Sequence, residues 1–235
     1  MDDAPSGALP RYQQISELLI RDIAAGRLMD GARLAPEREM AADLGVAVGT
    51  LRKALQDLAE KGLLERVQGS GNYIRAQPEV ASIYALFRLE LVAGGGLPSA
   101  EVLEVTRCAK PAHLPEFGSG AEAHRIRRLR LLSGQPAAVE EIWLDAAYAP
   151  ELRADELSQS LYLHYRTRLG LWIARAEDRI GTGTVPKFAP ARFGLRPGAV
   201  AGHIQRISWS QDNRRAEVSE TWFDPNVARY VSRLK

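Results

Sequence analysis

The sequence predicts an α+β fold in two parts, a small helical head followed by a larger strand-rich domain. Three observations predict it. Apolar residues recur at helical spacing three times before residue 62 and then stop doing so. Two short extended segments around a Gly-rich turn follow at 63–75. Beyond residue 100, strand-like stretches are separated by turns rather than by regular helical crossovers.

Each element has a local reason. From Arg11 to Gly26, Ile15, Leu18, Leu19 and Ile23 make one apolar stripe; Gly26 suits the helix end and Asp30-Gly31 marks a turn. A second helix is predicted from about Pro36, whose missing N–H suits a first turn. Glu37 and Glu39 sit there at the positive end of the helix dipole. Met40, Ala41 and Leu44 form its apolar side, and Gly45 breaks it. A third helix runs from about Val48 to Lys61 on Leu51, Ala54, Leu55 and Leu58, and Gly62 stops it. Strands at 63–67 and 72–75 then flank Gln68-Gly69-Ser70-Gly71. Helix, helix, turn, helix and hairpin is the order of a winged helix-turn-helix, assigned to residues 1–76.

Residues 77–235 are assigned to the second domain, with 77–82 as a linker. A strand is predicted over 83–92, ahead of Gly94-Gly95-Gly96 and Pro98. Further strands are predicted at 101–108, 124–132, 137–144, 173–181, 200–209 and 216–223. One helix fits 158–169, through Leu161, Tyr162, Tyr165 and Leu169, and a short one fits 190–193.

Composition excludes several classes. Of 235 residues, 46% are hydrophobic and 26% charged, the balance of an ordinary globular protein. The opening residues carry Asp2 and Asp3 and no apolar core, so no secretory leader is expected. No apolar run approaches the roughly 20 residues of a membrane span, and a cytoplasmic protein is expected. Cys108 is the single cysteine, which rules out an internal disulfide and a cysteine-rich zinc site. The chain has no phosphate-binding Gly-Lys loop, no Gly-x-Ser-x-Gly elbow and no His-Glu-x-x-His, and its histidines (113, 124, 164, 203) are scattered. No catalytic residue, metal or cofactor is expected. Net charge is +2, but residues 1–76 hold ten Lys/Arg against eleven Asp/Glu. Any DNA binding by the head must therefore come from a few placed residues rather than from bulk charge.

The segments Leu34–Val46, Thr50–Leu55, Gly62–Arg66 and Gln68–Gly71 closely resemble the GntR family of winged-helix repressors. The remainder looks like the UTRA effector-binding domain of its HutC subfamily. The residues that carry this second resemblance are His124–Leu132, Pro136–Glu140, Ser160–Tyr162, Ala174–Glu177 and Ala216–Ser219. The resemblance implies a sheet similar to chorismate lyase without lyase activity, dimerisation largely through this domain, and repression of an operator relieved by a small molecule.

A recognition helix reads base edges with residues near its N-terminus. Here those are Gly49, Thr50, Arg52 and Lys53. Arg52 offers two parallel donors to a guanine edge, Thr50 a phosphate bond or a thymine-methyl contact, and Lys53 a phosphate contact. Arg38 matches a family arginine that contacts DNA. The alternatives are a surface ion pair for Arg38 and a solvated helix face for Arg52. Ala47 and Val48 stand where the family carries Ser-Arg or Thr-Arg, and Gly49 replaces a further polar residue, so the operator is not transferable from the family. In the wing, Gln68, Gly69, Ser70 and Gly71 are candidates for a minor-groove contact, against the simpler reading that the glycines only make the turn. Two heads on two half-sites compensate for few basic contacts, so double-stranded operator DNA and a second copy of the chain are the expected partners.

For the effector, alternation puts Arg128 and Arg130 on one strand face with Ile126, where paired guanidiniums suit a phosphate or carboxylate. The family resemblance adds Glu140 and Glu217 on neighbouring strands and Ser160 and Tyr162 at a helix start. The alternative is that Arg128, Arg130, Glu140, Glu141 and Glu217 neutralise one another. Glu177 is expected to face inward, as ligand contact or ion pair. Trp143, Trp172, Trp209 and Trp222 are expected in the core or at a dimer interface. A small anionic effector follows; an enzyme carrying a DNA-binding head is the competing reading.

Overall fold

Helix α1 (Arg11–Ala24) forms where the apolar stripe predicts it and buries Ile15, Leu18, Leu19 and Ile23. This computed structural model describes residues 10–24, 27–75, 86–157 and 160–233. Gly26, the 77–82 linker, the first residues of the strand predicted at 83–92 and residues 158–159 of the predicted helix lie outside the described residues. The chain divides into two compact units, one built around Leu9–Leu89 and the other around Ser99–Arg229.

In the first unit, α2 (Glu37–Asp43) begins one residue after Pro36, which serves as the flanking residue rather than the first helical one. Gly45, at φ +61°, adopts the left-handed backbone that turns the chain out of α2. Helix α3 (Val48–Glu60) then buries Leu51, Ala54, Leu55 and Leu58. These pack with the α1 stripe, Leu34, Ala41, Leu63 and Ile74 in one core cluster. Strands β1 (Leu64–Val67) and β2 (Gly71–Ile74) pair antiparallel from Leu64↔Ile74 to Val67↔Gly71 and form the wing. Arg33 bridges to Tyr73 at its side.

Strand β3 is shorter than predicted, Leu89–Leu91, and pairs with β10 (Ala228–Tyr230), which has no clear alternation in sequence. The main sheet contains β4 (Pro98–Ala109), β5 (Glu122–Leu132), β6 (Gln135–Asp145), β7 (Ile173–Thr184), β8 (Val200–Ser210) and β9 (Arg215–Phe223). Its order is β4-β5-β6-β9-β8-β7, and the pairs β5–β6, β6–β9, β9–β8 and β8–β7 are antiparallel. The six strands predicted for this sheet are all present, each slightly longer than predicted. Helix α4 (Leu161–Arg168) lies on one face of the sheet, where Leu161 and Tyr165 pack with Ile126, Ile142 and Leu144. The other face is apolar in two patches, Trp143, Ile207, Trp209 and Val218 in one and Leu129, Val139, Phe193 and Trp222 in the other.

Candidate functional site

The head presents the predicted DNA-reading residues outward. Arg38, Gly49, Arg52, Lys53, Gln68 and Gly69 are exposed, and Thr50, Ser70 and Gly71 half-buried. Arg38 and Lys53 form no ion pair among the described residues. The carboxylate partner expected as the alternative for Arg38 belongs instead to Arg52, whose Nε donates to Glu37 Oε2 at 2.6 Å. Gly49 has open space where a side chain would begin, and no positive φ requires glycine there. Gly69 does need its freedom, at φ +75° in the wing turn. The Ser70 hydroxyl is tied to the Tyr73 hydroxyl at 2.6 Å, so inside the head it braces the wing.

In the second unit, register decides which charges meet. Arg128 pairs opposite Glu140, Leu144 opposite Glu217, and Glu217 opposite Ser208. Alternation therefore carries Arg128, Arg130, Glu140, Glu217, Ser219, Ser208, Arg206 and Asp178 to the α4 face of the sheet. Arg128 and Arg130 are 5% and 6% exposed, unusual burial for arginine. Both meet one carboxylate: Arg128 Nη2 donates to Glu140 Oε2 at 2.7 Å, and Arg130 Nε lies 3.3 Å from Glu140 Oε1. Burial alone would raise the Glu140 pKa, but Arg130 and Arg128 overcome it and hold the carboxyl below its ordinary value.

Glu217 has a different environment. Tyr165 donates to its Oε2 at 2.8 Å, while Ser208 and Tyr162 donate to Oε1 at 3.0 and 3.3 Å. Burial pushes its pKa up, against those hydroxyl bonds and the nearby Arg206 and Arg128. Tyr162 is pushed up to about 12 by burial and by Glu217. Tyr162 and Tyr165, three residues apart on α4, reach the carboxylate from the same side of the helix.

Ser160 is buried and caps α4, its hydroxyl accepting from the Leu163 N–H at 3.4 Å. The structure thus brings Arg128, Arg130 and Glu140 together, and Tyr162 with Glu217. Asp178, Tyr165, Arg206 and Ser208 join them without having been singled out from sequence. Arg206 holds Asp178 through two bonds of 2.6 Å. The signal for it was present: Arg206 and Ser208 flank buried Ile207, which alternation places on the opposite face from them.

Two expectations are corrected. Glu177 points to the opposite face from Asp178, is exposed, and pairs with Arg179 two residues on. Glu141 also lies on that opposite face, bound to Arg127 at 2.6 Å, so it takes no part in the Glu140 cluster. Of the four tryptophans expected in the core or at a dimer interface, Trp143, Trp209 and Trp222 are buried in the core and Trp172 is 36% exposed, with the Arg166 guanidinium 4.3 Å from its ring centre. Among the described residues no group of His, Cys, Asp or Glu could hold a metal ion, and no helix is long and apolar enough to cross a membrane.

Comparison with known proteins fits this geometry. The sequence profile of the bacterial regulatory proteins of the gntR family matches residues 11–74, and that of the UTRA domain matches 93–229. The HTH-type transcriptional regulator SmoD of Agrobacterium fabrum is 62% identical over 229 residues, 97% of this chain and 98% of that one. The HTH-type transcriptional repressor NagR of Bacillus subtilis is 26% identical, covering 96% of each chain. Among solved structures, the possible transcriptional regulator YydK of Bacillus subtilis covers 97% of this chain and 100% of its own at TM-score 0.55 and 20% identity, a likeness of fold. The relatives are named as regulators of transcription rather than enzymes. The chain belongs to the gntR family of bacterial regulatory proteins and is a DNA-binding transcriptional regulator with a UTRA effector-binding domain.

Proposed function

We propose that this regulator is a cytoplasmic homodimeric repressor released from its operator by a small anionic metabolite. Residues 1–76 would bind DNA, and 77–235 would bind the effector and join the two copies. The observation that carries the reading is Arg128 and Arg130 meeting on Glu140. Beside Glu140 the two guanidiniums stand together on one buried strand face, and their parallel N–H donors are the chemistry that suits a phosphate or carboxylate. Glu217, Tyr162 and the capping Ser160 extend it with hydrogen-bonding groups suited to a polar ligand body. Arg38, Thr50, Arg52, Lys53 and the wing residues Gln68–Gly71 would contact DNA. A near-neutral head favours a dimer, because two weak half-site contacts combine into one strong one.

A thermal-shift screen of anionic metabolites tests this reading. It predicts that at least one compound raises the melting temperature of the wild type and not of an Arg128→Ala/Arg130→Ala variant that still folds. An equal shift in both proteins would refute the assigned pocket.

A further inference from the structure

The head holds one of its reading arginines with a carboxylate of its own. Glu37 is the first residue of α2, and Arg52 lies in the second turn of α3. Arg52 Nε donates to Glu37 Oε2 at 2.6 Å. From the wing strand, Arg66 Nη2 donates to the Arg52 backbone carbonyl at 3.2 Å. The residue is therefore braced twice, its peptide by the wing and its guanidinium by the preceding helix. A guanidinium whose Nε is occupied keeps its two terminal nitrogens as an end-on fork, which fits O6 and N7 of guanine. The side-on fork, Nε with one terminal nitrogen, is taken. The Arg52 side chain is 66% exposed and that of Glu37 26%, so the pair adds little to folding. Its consequence is the direction of the fork. Arg38 and Lys53, exposed and without an ion pair among the described residues, have no such constraint and can follow phosphates.

We propose that Glu37 is a positioning residue for sequence readout, which aims Arg52 end-on at a guanine and keeps it off the DNA backbone. The inference rests on the DNA-reading role assigned above to Arg52. The carboxylate has a second effect. Standing beside a DNA-facing arginine, it repels phosphates and lowers affinity for arbitrary DNA. Glu37 thus exchanges general affinity for choice of sequence.

The test lets the intact wild type, Glu37→Gln and Arg52→Ala each enrich duplexes from a random pool. Affinities for the wild type's enriched duplex and for a scrambled duplex are then measured at one salt concentration. Arg52→Ala should flatten one G·C position in each half-site. Glu37→Gln should lower the preference at that same position roughly two- to fivefold, the range of an exposed ion pair, and leave other positions alone. It should bind the scrambled duplex as well as, or better than, the wild type. An unchanged preference in Glu37→Gln overturns the inference. So does an equal loss on both duplexes, the mark of a merely structural role, and so does an Arg52→Ala profile with no flattened position. If the wild type enriches no sequence, the DNA-reading assignment falls as well, which separates the two failures.

Discussion

The Tyr165 hydroxyl donates to Glu217 Oε2 at 2.8 Å, and neither side chain reaches solvent to any useful extent. The bond ties α4 to the centre of the sheet, at the place where the proposed effector would be read. A buried carboxyl oxygen that loses its donor keeps the full cost of its desolvation. Tyr165→Phe should therefore destabilise the protein by about 1–3 kcal/mol, read as a lower urea midpoint. In combination with Glu217→Ala the losses should be less than additive, because both variants remove the same bond.

The acidity of Glu217 gives a pH test. Burial raises its pKa in the folded state above the unfolded value of 4.5. A group raised in this way contributes stability that is fully present below the unfolded pKa and is lost as pH rises through the folded pKa. Replacing it by the permanently neutral Gln removes that loss. The stability of Glu217→Gln relative to wild type should hence improve as pH rises from 4 towards 7, followed by thermal melting across that range. Glu140 has the opposite sign: Arg130 and Arg128 hold it low, so its contribution is present above 4.5 and disappears on acidification.

The Asp178–Arg206 pair gives a third prediction. Its side chains are 10% and 16% exposed and are bonded twice. Asp178→Ala leaves the guanidinium without its main partner on the inner face and should cost about 2–4 kcal/mol in chemical denaturation. The melting of the head, if resolved as its own transition, should not move.

The head was legible because its code is local. Leu51, Ala54, Leu55 and Leu58 announce α3 by spacing alone, and Gly45 and Gly69 mark turns that the backbone confirms with positive φ. In the sheet, alternation placed Arg128 and Arg130 together on the inner face. It did not show that Arg206 and Asp178 share that face, because the β5-β6-β9-β8-β7 order is set by long-range pairing that no single segment encodes. The same gap misplaced Glu177: on a strand with charges at 175, 177, 178 and 179, the inward parity depends on the partner strand. Ser160, expected at a ligand, is also the cap of α4, a role that its place at a helix start encodes locally.

Gly49 separates stability from recognition. It is a helical glycine with nothing within 4 Å of where a Cβ would stand. Gly49→Ala should stabilise the head by about 0.5–1 kcal/mol through lower unfolded-state entropy. If DNA approaches α3 closely at this point, the same change should weaken binding to the enriched duplex. A variant that is more stable and binds equally well would place Gly49 outside the interface.

The central claim is that effector and operator compete through one protein. Linkage makes that competition reciprocal: a ligand that weakens operator binding must itself be weakened by operator to the same extent. The direct measurement is a calorimetric titration of the compound found in the thermal-shift screen, made with and without saturating enriched duplex. Matching losses of affinity in the two directions, absent in Arg128→Ala/Arg130→Ala, are the predicted result. Equal effector affinity with and without DNA would contradict the account.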